Sequence, residues 1–252
     1  MLNSLFSAFL MYSRIPMPKT EWKEENRRYS LGFFPLIGAV ICGILAFWRW
    51  LCLKKGLGDI FFSVGAVCIP VMVTGGIHVD GFCDVTDARS SFASREKRME
   101  ILSDPHIGSF AVIRIILYFL VQMALFTKIG TVRECLAVGC GAILSRGLSG
   151  ISAIAFKSAK SSGSLQSFVK PSYKKVTISM NVIFIIVSAA IMIFLFPICG
   201  VLAVASALVA LIYCRKIAYR DFGGYTGDVC GWFLQLCELA VLGTFVIVKM
   251  FL

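Results

Sequence analysis

The sequence predicts an all-α fold: a polytopic integral membrane bundle of about seven transmembrane helices with short interfacial helices. Three observations predict it. Hydrophobic residues fill 58% of the 252 positions and charged residues only 15%. Mean hydropathy is +0.83, outside the range of soluble domains of this size. The apolar residues also fall into runs that approach the about 20 residues a bilayer requires, with short polar segments between them.

In chain order, residues 1–30 read as interfacial. Two prolines in Arg14-Ile15-Pro16-Met17-Pro18 break any helix begun upstream, and 21–28 is a charged loop. The apolar piece 5–11 precedes its first basic residue, so no cleavable leader is expected. Spans are predicted at 31–53 and 57–77, joined tightly at Lys54-Lys55, and then at 107–129 and 135–156. Between the second and third, Ser94 is placed to cap a short basic surface helix that runs through Leu102 and stops at Pro105. Thr177 to Tyr213 is 37 residues without a charge, too long for one crossing, and Pro197 and Gly200 divide it into a fifth and a sixth span. The last span is 229–248. No internal repeat is visible.

Net charge is +11. In a membrane protein this marks positive-inside loops before an anionic ligand, and nucleic acid is not an expected partner. Outside the spans or at their very ends, 17 Lys and Arg lie in the N-terminal segment and the segments alternating with it, against 5 in the others. The asymmetry predicts a cytoplasmic N-terminus and an external C-terminus. Segments 78–106, 157–176 and 214–228 then share the cytoplasmic face of a single membrane domain, 1–252. The ten cysteines show no paired zinc spacing and sit mostly in apolar runs, so they read as reduced core residues.

The stretch from Gly75 to Arg89 concentrates the chemistry. It holds His78, Asp80, Asp84 and Asp87 in a chain with 14 acidic residues. On a helix the three aspartates recur at i, i+4 and i+7 and share a stripe roughly 60° wide. Like charges on one face repel unless a cation sits among them. Oxygen ligands of this kind suit Mg²⁺ or Mn²⁺. The alternative is a solvated helix start whose acids complement the macrodipole.

Three further places carry candidate residues. In Asp221-Phe222-Gly223-Gly224-Tyr225-Thr226-Gly227-Asp228, Thr226 or Asp228 is placed to cap the last span, or Asp228 to contact metal or nucleotide. In Ser103-Asp104-Pro105-His106-Ile107-Gly108-Ser109-Phe110, Asp104 is placed to cap the third span and His106 to bind phosphate when protonated. Arg114, Arg146 and Glu238 lie within apolar spans, where charges face a cavity or one another. Arg146 reads as a partner for a substrate phosphate or a motif aspartate, or as half of a structural ion pair. Arg114 reads as able to snorkel.

The motif Gly-Gly-Ile-His-Val-Asp-Gly-Phe-Cys-Asp-Val-Thr-Asp-Ala at 75–88 resembles the signature of the adenosylcobinamide-GDP ribazoletransferases, the cobalamin-5'-phosphate synthases. Three more pieces match that family in order: Phe9-Leu10 with Ser13-Arg14-Ile15-Pro16-Met17-Pro18, Ile107-Gly108-Ser109-Phe110, and Gly224-Tyr225-Thr226-Gly227-Asp228. The resemblance implies a bacterial inner-membrane enzyme of the last steps of cobalamin assembly. It would join GDP-activated cobinamide to α-ribazole or its 5'-phosphate, release GMP and require Mg²⁺. It makes Asp80, Asp84 and Asp87 the metal-binding acids and His78 part of the same motif; for phosphoryl transfer, His78 or a motif aspartate is placed to take the proton from the attacking hydroxyl. Arg89, His106, Arg146, Tyr225 and Asp228 would contact substrate. Where the family carries Lys-Asp-Ser-Arg-Ile-Gly, this chain has Ser103-Asp104-Pro105-His106-Ile107-Gly108, so two basic residues give way to a serine and a weak base. Expected partners are the two small-molecule substrates and the lipid bilayer, and a homo-oligomer is compatible with the sequence. The competing classes are a lipid head-group transferase with a CDP-linked donor and a small-molecule transporter.

Overall fold

The computed structural model describes residues 1–252. It is helical throughout and has no strand. Ser158 and Tyr225 form a single isolated bridge. Helix α1 (Leu2–Tyr12) lies beside the start of α3, where the Ser30 hydroxyl donates to the Ser4 carbonyl at 2.9 Å. Helix α2 (Glu24–Arg27) is one turn. Helix α3 (Ser30–Lys55) closes on Lys54 and Lys55, cations that complement the carboxyl end of its dipole.

Helix α4 (Asp59–Thr74) stops short of the predicted end at Ile77. Gly75 and Gly76 take φ of 65° and 82°, a backbone region that a β-carbon disfavours, and the chain turns 96° into α5 (Ile77–Ser90). The acidic motif is thereby a helix of its own, beyond the end of the crossing helix. Helix α6 (Arg95–Ile101) starts as predicted, with Ser94 Oγ accepting the Lys97 N–H at 3.4 Å.

Helix α7 (Ser109–Phe126) leads to α8 (Val132–Ala155), which opens in a capping box of Thr131 and Glu134. After the short α9 (Ser164–Val169), α10 (Lys174–Leu195) and α11 (Pro197–Ile217) divide at Pro197. A proline in the first turn of α11 gives up only an N–H that had no helical partner. Gly200 sits inside α11 and does not break it. Helix α11 passes into a π-helical turn, Ala218–Phe222, and α12 (Gly227–Met250) completes the chain. Six helices are long and apolar enough to cross a membrane, or seven when α4 and α5 count as one bent span.

Helices α8 and α12 form the buried centre, with α3, α5, α10 and α11 around them. Helices α7 and α10 turn most of their apolar surface outward, where a bilayer would cover it. Charges within the bundle are paired. Arg146 on α8 is 1% exposed and meets Glu238 on α12 at 2.7 Å, and Ser145 donates to the same carboxylate at 2.9 Å. Buried Arg49 pairs with Asp59 at 2.8 Å and donates to the Gly130 carbonyl, and Glu134 pairs with Lys249 at 2.7 Å. Arg114 is exposed on α7, as snorkelling requires. All ten cysteines are free and nine are buried, in keeping with the sequence reading.

Candidate active site

The polar segments expected to share one face do meet at one end of the bundle. Tyr225 exchanges backbone hydrogen bonds with the 157–159 segment, donating to the Lys157 carbonyl at 2.8 Å and accepting from Ala159 N–H at 2.9 Å. The Tyr219 hydroxyl accepts the Lys157 N–H at 2.9 Å. Lys160 donates to Ser103 at 3.3 Å, and Arg95 reaches the Tyr219 and Arg220 carbonyls. In the N-terminal segment, Arg27 stacks on Trp22, whose ring meets Phe168 of α9 edge-on.

Helices α5 and α12 touch backbone to backbone at this end. A β-carbon on Gly81 would stand 2.7 Å from the Asp228 carbonyl oxygen. The close approach brings Asp228 beside Asp80 and Asp84. Asp80 is exposed, and Asp84, Asp87 and Asp228 are half-buried. None of the four is in an ion pair. Burial, and then the charges of Asp80, Asp228 and Asp87, push the Asp84 carboxyl up to about 7, with Lys160 opposing them. Asp87 differs. Its carboxylate accepts the N–H groups of Gly108 and, at 3.1 Å, Ala111. It therefore caps α7, the task the sequence assigned to Asp104. Asp104 instead accepts from the His106 backbone at 2.9 Å and bonds its ring at 2.7 Å. At the other acidic segment Thr226 caps α12, accepting the Val229 N–H at 3.2 Å, and this leaves Asp228 to face the site.

Three cavities adjoin these acids. One of about 240 Å³ enters the bundle between α1, α3, α5, α8 and α12 and includes His78, Asp80 and Asp228. A second, of about 630 Å³, is lined by Asp80 and Asp84 with Arg14 and His106 as its basic side chains. The third, of about 250 Å³, lies between Asp228, Thr226 and the loop that carries Lys160. Asp80 thus borders two cavities, and Asp228 borders two.

A profile described as cobalamin-5-phosphate synthase matches residues 4–246. The chain belongs to this family. Among its relatives, an adenosylcobinamide-GDP ribazoletransferase of Lachnoclostridium phytofermentans is 45% identical over 241 residues, covering 94% of this chain and 91% of the relative. Proteins of the same name from Clostridium botulinum and Escherichia coli are 29% and 28% identical, covering 96% of this chain in each case and 96% and 98% of the relatives. No solved structure matches the chain.

In this cobalamin-5-phosphate synthase relative, several predicted site residues turn out to be committed elsewhere. Arg89 bonds Asp221 at 3.1 Å, lies over the Trp232 ring and lines none of the three cavities. Arg98 and Arg220 converge on the same carboxylate at 2.8 and 2.6 Å. Buried Asp221 is therefore a clasp that ties α5, α6 and the π-turn together. The Arg146 guanidinium bonds Glu238 and the Ala142 carbonyl and lines none of the three cavities, though it lies 5.7 Å from the ring of Phe34, which walls the first. Tyr225 is 1% exposed and acts through its backbone on the 157–159 segment. His106, 89% exposed, is open at the rim of the larger cavity. Sequence reasoning missed Lys160 as a site residue. Its only signal was membership of a basic loop. It also left Arg14 inside a matched piece without a role.

No group of three or more His, Cys, Asp or Glu side chains is placed to hold a metal ion together. Asp80 and Asp84 on α5 stand across the helix contact from Asp228 on α12, and their separation rests on the missing β-carbon at position 81. Gly81→Ala is expected to push α5 off α12 and lower turnover on the order of tenfold or more, because small displacements of reacting groups are costly. Steady-state kinetics on a variant with unchanged helical circular dichroism checks this. Wild-type turnover would show that the contact does not set the site.

Proposed function

We propose that the chain transfers the cobinamide-phosphate group of adenosylcobinamide-GDP onto α-ribazole or its 5'-phosphate, releasing GMP in the last steps of cobalamin assembly. What supports this most directly is the set of unpaired carboxylates at the junction of three cavities, in a chain that matches the family almost end to end. In the reaction, a ribose hydroxyl oxygen attacks the phosphorus that bears the cobinamide. The bond from that phosphorus to the GMP oxygen breaks, GMP leaves with the electron pair, and the hydroxyl proton passes to a carboxylate at the cavity junction.

The donor set fits Mg²⁺, which binds through one or two carboxylates and completes its shell with water and substrate phosphates. When bound, the ion neutralises charge on the diphosphate bridge. Asp80 and Asp84 would hold it, with Asp228 facing them from α12. Asp87 keeps α7 in place. Lys160 and Arg14 line the flanking cavities and offset phosphate charge there. The lysine and arginine asymmetry supports an orientation of this end toward the cytoplasm, with the N-terminus on the same side of a bacterial inner membrane.

The test is GMP release from adenosylcobinamide-GDP on addition of α-ribazole, with and without EDTA, run beside a CDP-diacylglycerol donor. Release from the cobinamide donor alone, abolished by EDTA and restored by Mg²⁺, is expected. Turnover of the CDP donor instead would overturn the substrate reading, and full activity in EDTA would remove the metal. A pH dependence follows from Asp84. A carboxyl raised to about 7 is protonated below that pH and must lose its proton to hold a cation. At limiting Mg²⁺, kcat/KM should fall as pH drops through about 7, and the inflection should move to lower pH as Mg²⁺ is raised. An inflection that ignores Mg²⁺ concentration would separate Asp84 from the metal.

A further inference from the structure

We infer that the chamber of about 240 Å³ inside the bundle receives the flat base of the nucleoside acceptor, while the donor occupies the larger cavity on the other side of Asp80. This rests on the transferase reading and adds where each substrate sits. The chamber walls are mainly apolar, with Leu31, Phe34, Ala153 and Leu234 among them. His78 and Cys230 are its buried ionisable side chains, and the His78 Nε2, in a residue 5% exposed, has no hydrogen-bond partner. An unmet polar atom in such a place costs about 1–3 kcal/mol. A ligand that fills the chamber and offers a ring nitrogen or hydroxyl removes that cost. The Phe34 ring lies 5.7 Å from the His78 ring and supplies an aromatic wall beside it.

Size decides between the substrates. Drug-sized ligands occupy about 300–1,000 Å³. A chamber of about 240 Å³ takes a bicyclic base but not a corrin macrocycle. The cavity of about 630 Å³ is wider, more polar and lined by Arg14, Asp84 and His106, which suits a diphosphate-bearing donor with the bulk of its corrinoid left outside. Asp80 borders both, and Asp228 stands at the chamber mouth near Gly227 and Ser164. A base seated against His78 therefore places its sugar at Asp80 and Asp228, facing the donor phosphate. The two substrates approach from opposite sides and meet at the carboxylates.

The experiment uses the full chain in detergent, and two variants remote from the carboxylates. Ala153→Phe fills the chamber, and Leu31→Ala widens it. Ala153→Phe should raise the KM for α-ribazole about tenfold or more, since steric misfits of this kind are worth 10–200-fold. It should leave the KM for adenosylcobinamide-GDP unchanged, and it should penalise an imidazole α-riboside less than α-ribazole. Leu31→Ala should shift preference toward α-ribosides of bulkier bases and keeps the proposal testable if the larger side chain prevents folding. Calorimetric titration of α-ribazole without donor should show the same order of affinities. An unchanged α-ribazole KM in Ala153→Phe, an unchanged base preference in Leu31→Ala, or an equal rise in both KM values in Ala153→Phe, overturns the chamber assignment. Wild-type protein that releases no GMP from the two substrates overturns the transferase reading itself, so the two failures are distinct.

Discussion

Replacing Asp84 by asparagine should lower turnover by about 10²–10³-fold, the loss expected when several kcal/mol of charge stabilisation by a bound cation are removed. Asparagine keeps the shape of the side chain and deletes only its charge. Burial, and then the neighbouring charges of Asp80, Asp228 and Asp87, disfavour that charge and raise the pKa of the carboxyl. Removing it relieves repulsion, so the variant should melt no lower than the wild type. Inactivity with undiminished thermal stability distinguishes a ligand from a structural acid. Asp87 provides the contrast on the same helix stripe. It accepts the N–H groups of Gly108 and Ala111, and Asp87→Ala should cost about 1 kcal/mol of stability through the lost cap. Thermal melts and GMP release on the two variants side by side check both statements. Retention of most activity by Asp84→Asn at saturating Mg²⁺ would dismiss the proposed cation site.

The crossing helices were legible because their signals are long and local. The 37 uncharged residues from Thr177 to Tyr213 had to divide, and Pro197 marked where. Ser94 and Thr226 cap the helices their positions suggested. The acidic stripe was legible too, since a period of 3.6 puts Asp80, Asp84 and Asp87 on one face whatever lies opposite. What lies opposite was not. Nothing near Asp87 in sequence shows that the start of α7, over twenty residues on, will take its carboxylate. Nothing near Asp221 shows that three arginines from two other elements and its own neighbour will converge on it. Each basic residue of the motif was free to meet a phosphate until tertiary packing supplied a nearer anion. The two αL glycines at 75 and 76 were visible as residues, but the 96° turn they permit depends on where α12 receives α5.

Arg146 is the clearest instance, and its variants should show the largest change in stability. The guanidinium is 1% exposed and bonds Glu238 at 2.7 Å, and Ser145 donates to the same oxygen. Breaking a buried pair leaves one charge unpaired, which costs about 3–5 kcal/mol. Arg146→Met should therefore lower the melting temperature in detergent sharply, and Glu238→Leu should do the same from the other side. The double variant decides between the two roles weighed for Arg146. If the pair is structural, removing both charges leaves two apolar side chains of similar volume between α8 and α12, and most of the lost stability and activity should return. If Arg146 also meets substrate phosphate, the double variant should regain its stability while staying inactive, with the KM for adenosylcobinamide-GDP raised. The bond to Glu238 and the absence of Arg146 from the lining of the three cavities around the carboxylates favour the first outcome. A double variant that folds like the wild type yet releases no GMP would return Arg146 to the substrate site.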